Sequence, residues 1–217
     1  MEDVNNIEKF GNENTNIALS EKEAAAEMKA LANQEVKRAK ARLKLAENEI
    51  ALAVIRERLA EKTKKTVDSK DKVKEILKMS EENLKIDKIQ AVYNEKVAKI
   101  QRQIAEVQRK IADTEIELSK VKVEYAKRKL SEAKERGALG KKQLTYANLV
   151  NNNALEEKIS KAREAYLNQQ KHVTKAEIEA LEISKEVVKK QHKLADLKKN
   201  HSERLAERGN IRPEGNQ

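Results

Sequence analysis

The sequence predicts an all-α protein: an elongated antiparallel coiled-coil hairpin with a third long helix, a three-helix rod with disordered termini. Three observations predict it. First, Met79, Ile86, Tyr93, Ile100, Val107 and Val121 recur in steps of seven or fourteen, with Val97, Ile104, Ile111, Leu118 and Tyr125 at the alternate seam positions. Downstream, Ile159, Tyr166, Val173, Ala180, Val187 and Leu194 form one ladder, and Leu155, Ala162, Ala176, Ile183 and Leu197 form another. Second, 39% charged against 2% aromatic residues leaves too little bulky side chain for one compact core in 217 residues, whereas narrow helical seams need far less. Third, the single proline, Pro213, and the five glycines leave residues 20 to 136 free of helix breakers. Disordered chains do not keep apolar spacing through so many repeats.

Residues 1–19, with five asparagines and Gly11, read as a flexible acidic, Asn-rich tail. The first helix, about 20–65, opens on a capping box from Ser20 to Glu23, with Leu19 and Ala24 placed as a hydrophobic staple. Within it Ala25, Ala32, Ala39, Ala46, Ala53 and Ala60 recur every seven residues, and Val36, Leu43 and Ile50 fill the alternate positions. Alanine in every heptad lets two helix axes approach closely, so Ala32, Val36, Ala39, Leu43, Ala46, Ile50 and Ala53 form a candidate self-association seam, between subunits or within a three-helix bundle. Leu31, Leu45, Leu52 and Leu59 widen the apolar face, as for a helix that touches two neighbours. Residues 61–72 hold one apolar side chain and read as a turn or kink, with Asp68 or Ser69 as cap.

The second helix, about 69–136, is expected to end at Gly137 in the left-handed C′ position. The third runs about 140–208, with Asn151 to Asn153 kinking it and Asn153 recapping it ahead of Glu156, and residues 209–217 form a disordered tail. Residues 20–208 are thus read as a single elongated domain. A turn at 137–140 predicts that residues paired across the hairpin have numbers totalling 276 or 277, as Val97 with Ala180 and Met79 with Leu197 do. Shifts of seven fit the ladders equally, so the turn chooses the register. Each arm would be roughly 100 Å long.

Chemistry finds little footing. His172, His192 and His201 are scattered along the third helix without a metal-binding spacing, and no phosphate-cradling glycine pattern is present, so no catalytic residue, metal or cofactor is expected. Tyr93, Tyr125, Tyr146 and Tyr166 read as packing residues, and Thr114, Gln169 and Lys190 as register markers within the seams. Zero cysteines exclude disulfides. No run of 18 apolar residues and no signal-like start occur, so the expectation is a cytoplasmic chain, with peripheral membrane association open.

Charge gives the functional direction. Lys127, Arg128, Lys129, Lys134, Arg136, Lys141 and Lys142 stand against only Glu132 and Glu135, a local net of +5 at the expected hairpin tip, and suit an anionic membrane surface. The leading expectation is therefore a non-enzymatic scaffolding coiled coil, a homo-oligomer that docks on anionic lipid through that tip. Three long helices, an alanine-rich first helix and basic tips resemble the general plan of BAR-type and PspA-type membrane-shaping proteins over residues 20 to 208. That likeness is of architecture alone; it implies a membrane partner and carries over no residue role. Alternatives are a nucleic-acid-binding helical protein, which a pI near 9.5 would suit, and a rigid receptor-binding or spacer hairpin contacting another protein.

Overall fold

The computed structural model describes residues 4–72 and 81–212. It is all-α: α1 spans Val4–Lys72, α2 Glu81–Asn151 and α3 Glu156–Asn210, with no strand among the described residues.

Helix α1 starts sixteen residues before the expected capping box, and Ser20 and Glu23 lie exposed inside it. Asparagine-rich sequence is a poor helix former. Here packing wins, because Ile7, Gly11 and Ala18 fall on the buried face that the alanine ladder continues. No turn forms at 61–72 either. Thr63, Thr66 and Ser69 donate their hydroxyls to the carbonyls of Leu59, Lys62 and Lys65 at 2.8–2.9 Å, so a polar stretch stays helical, and Val67 is buried. The expected second-helix start at 69 is corrected to Glu81, and Met79 lies outside the described residues.

The larger correction concerns Gly137 and Gly140. Both lie within α2, and no described glycine has positive φ. A Cβ at Gly140 would sit 2.6 Å from the Gly11 carbonyl oxygen and 2.9 Å from the Thr15 amide nitrogen. These glycines allow two backbones to touch; they do not end a helix. The turn lies instead at residues 152–155. Asn153 takes φ 49°, its amide bonds the Val150 carbonyl at 3.0 Å, and the Ala154 amide bonds the Leu149 carbonyl at 3.0 Å. That pattern is a Schellman motif with Asn153 at C′, so Asn153 closes α2 and does not recap α3. Leu155 accepts the first bonds of α3, and Glu156 and Glu157 favourably occupy its positive end.

Helices α1 and α2 run antiparallel, and their register follows from polar pairs. Glu8–Asn151, Asn14–Gln143, Glu21–Arg136, Glu35–Lys122, Arg42–Glu115, Arg56–Gln101, Glu57–Arg102 and Lys64–Glu95 all have residue numbers totalling 157 or 159. Between these flanking rows the α1 ladder meets a second ladder of small residues on α2, Ala91, Ala98, Ala105, Ala112, Ser119, Ala126, Ala133, Gly140 and Ala147, all buried. The two ladders interlock, with Gly140 lying against the Gly11 carbonyl and Thr15, between the α1 positions Gly11 and Ala18. Pairs between α2 and α3, such as Arg128–Glu179, Lys142–Gln169, Lys190–Glu117 and Lys198–Glu115, total 307 to 313. The expected 276–277 register is thereby replaced by one four to five heptads away, centred on the real turn.

The chain divides into two compact units. One contains residues 1–36 and 117–191. Besides the small-residue ladder it holds a cluster of Leu139, Tyr166 and Val173 with Tyr146, the two tyrosine rings 5.3 Å apart and tilted 50°. Tyr166, Val173 and Ala180 on α3 are buried as the sequence ladder requires, whereas Leu155 is 71% exposed at the turn.

The other unit contains residues 37–116 and 192–217. Ala39 to Val67 pack along α2, and Val67 clusters with Leu84 and Ala91. Glu95 is held by Lys64 and Lys99, each at 2.8 Å; their hydrogen bonds keep its carboxyl well below the usual range, at about 2. A depressed folded-state pKa contributes stability that is present above the unfolded value near 4.5 and is lost as pH falls toward 2. Acid titration of melting temperature should therefore show a smaller fall across that window for Glu95→Gln than for wild type. Identical slopes would show that the three-residue bridge contributes nothing.

Candidate interaction surface

The seven basic residues expected at a hairpin tip lie along α2, inside the helix and away from its ends. Most are engaged in packing. Lys129 and Arg136 neutralise Glu132, which is 2% exposed, at 2.7 and 3.2 Å. Arg136 also reaches Glu177 on α3 at 3.0 Å and Glu21 on α1 at 3.3 Å, so one guanidinium ties all three helices of this unit. Its planar fork suits that task as an ammonium would not. Arg128 bridges to Glu179 at 2.7 Å, Lys127 pairs with Glu124, and Lys142 donates to Gln169 at 2.9 Å. Lys134 and Lys141 are exposed on the helix flank. The buried Gln169 also donates to the Glu135 carbonyl at 3.2 Å, a polar contact between α2 and α3.

The candidate self-association seam is likewise occupied within the chain. Ala32, Ala39, Ala46 and Ala53 are each 3% exposed on the face turned to α2, and Val36, Leu43 and Ile50 are half-buried beside them. The intramolecular alternative is the one observed.

What remains open is the row that was expected to touch a second neighbour. Leu31, Leu45, Leu52 and Leu59 are 53–64% exposed, and Phe10, Ile17 and Ile55 extend the same flank. Sequence reasoning found these leucines but gave them an inner role; their place one residue before each ladder alanine puts them outside a seam this narrow. Beside Leu45 a shallow groove of about 310 Å³ is bounded by Arg42, Glu49, Glu115, Lys198 and His201. His201 is half-buried there, its Nε2 without a hydrogen-bond partner, and the described residues contain no His, Cys, Asp and Glu cluster able to hold a metal. Among the described residues no helix is long and apolar enough to cross a membrane.

No family model, curated protein or solved structure matches the chain.

Proposed function

We propose that the chain is a non-enzymatic structural scaffold, a coiled-coil protein that self-associates through its first helix. The observation that supports this is the outer row of α1. Large aliphatic side chains at heptad positions interrupted by Arg38, with Leu31, Leu45, Leu52 and Leu59 more than half exposed, form a row left uncovered among the described residues. Contiguous exposed apolar surface of this kind marks interaction sites, and heptad spacing suits another helix. Light scattering tests it. Wild type should exceed the 24.7 kDa chain mass, and Leu45→Gln, Leu52→Gln and Leu59→Gln together should return it to that mass with helicity kept. A wild type that stays at the chain mass at every concentration would overturn the proposal.

A second reading, docking on anionic lipid, is favoured by one feature. Lys37, Arg38, Lys44, Arg58, Lys62 and Lys65 flank the leucines of residues 37–66, all exposed. Basic side chains beside an apolar stripe suit the headgroup region of an anionic bilayer. On this reading the lipid-facing residues belong to α1 and replace the 127–142 cluster.

A further inference from the structure

Building on the scaffold proposal, we infer that the occupant of the outer α1 face is α1 of a second copy, laid antiparallel so that an acidic stretch meets a basic one. Three rows form this face: the positions one and two residues before, and two residues after, each position of the small-residue ladder. From Phe10 to Gln34 these rows contain Glu13, Glu23 and Glu27 and no lysine or arginine; Lys9 stands just before them. From residue 37 to 66 they contain the six basic residues above and no aspartate or glutamate; the half-buried Glu49 lies in the next row toward α2, and Glu47 and Glu61 in the next row on the other side. All nine charged side chains are exposed, and the ion pairs to α2 use their inward neighbours Glu21, Glu35 and Arg42 instead.

Each stretch thus carries what the other lacks, and both carry the apolar row. Both stretches belong to one helix, α1, which spans Val4–Lys72. A second copy supplies the complement. Antiparallel pairing centred on Arg38 sets Ile17 opposite Leu59, Ala24 opposite Leu52 and Leu31 opposite Leu45, with Glu13 beside Lys62. The arrangement is isologous, so both acidic-to-basic contacts form at once and the assembly closes as a dimer. Small Ala24 against large Leu52 lets the row interdigitate. Arg38 meets its own copy at the axis, where its long side chain can extend to water. Parallel pairing in register would oppose like charges throughout. An anionic bilayer would attract only the basic stretch and repel the acidic one.

Two full-length variants test this. One carries Glu13→Lys, Glu23→Lys and Glu27→Lys; the other carries Lys44→Glu, Arg58→Glu and Lys62→Glu. Wild type should show twice the 24.7 kDa chain mass, each variant alone half of that, and their equimolar mixture the doubled mass again. Variants that each keep the doubled mass, or a mixture that stays at chain mass, would overturn the antiparallel pairing while leaving self-association standing. A wild type at chain mass throughout sinks both proposals. If such a wild type also sediments with phosphatidylserine vesicles and not with phosphatidylcholine vesicles, and the second variant loses that binding, the occupant is lipid. Should either variant fail to fold by circular dichroism, Ile17→Cys with Leu59→Cys in an otherwise wild-type chain decides. Oxidation should give a covalent dimer, since 42 residues of one helix separate the two thiols in cis; no covalent dimer would refute the pairing.

Discussion

Gly140→Ala is expected to destabilise the protein although alanine is the better helix former. In an open helix the change would stabilise by about 1 kcal/mol. Here the added Cβ would meet the Thr15 hydroxyl at 2.5 Å, the Gly11 carbonyl at 2.6 Å and the Thr15 amide nitrogen at 2.9 Å. A hydroxyl can rotate away, but backbone atoms move only if α1 and α2 separate. Overpacking of this kind costs about 1 to 3 kcal/mol, so the net sign is a loss. Gly137→Ala supplies the contrast, because its Cβ would meet only the Ala18 Cβ at 3.3 Å. Denaturant melts should show a lowered midpoint for Gly140→Ala and little change or a gain for Gly137→Ala. A gain for both would mean that the helices are not held at this distance.

The second large effect is expected at the centre of the alanine ladder in the unit containing residues 37–116. Ala53 and Ala105 are each 3% exposed, on the facing small-residue ladders of α1 and α2. Leucine at either site should cost about 1 to 3 kcal/mol, since close-packed helices relax only by moving apart. The double variant should cost less than the two losses added, because the first substitution already opens the gap for the second. Leucine at Ala26, which is exposed on the same helix outside the outer rows, is the control and should change stability little. Unaltered melting of Ala53→Leu would show that the ladder is not a close contact.

The alanine ladder on α1 was legible because six alanines at seven-residue spacing have no other ready explanation. Its partner on α2 was equally present, from Ala91 to Ala147, but the larger Ile, Val and Tyr residues beside it drew the reading toward the seam that faces α3. Ile104 and Leu118 are buried there as anticipated, while Ile86 is 63% exposed. The basic cluster at 127–142 was misread for a related reason. Counting charge along the chain does not show that Glu21, Glu177 and Glu179 arrive from other helices to pair with it.

By itself the sequence determined that this chain is helical and that its helices meet along heptad seams. Charged, proline-poor sequence with apolar residues every seven positions has no other way to bury them. Tertiary structure decided where the helices turn, which residues pair and which rows stay outside. A seven-residue repeat is unchanged by shifts of seven, so only the turn fixes register. Glycine serves a helix end and a close backbone approach equally well, and Gly140 is distinguished only by the Gly11 carbonyl beside it. A ladder of small side chains brings two helices so close that the leucines one residue away are left facing outward, which no periodicity alone could reveal.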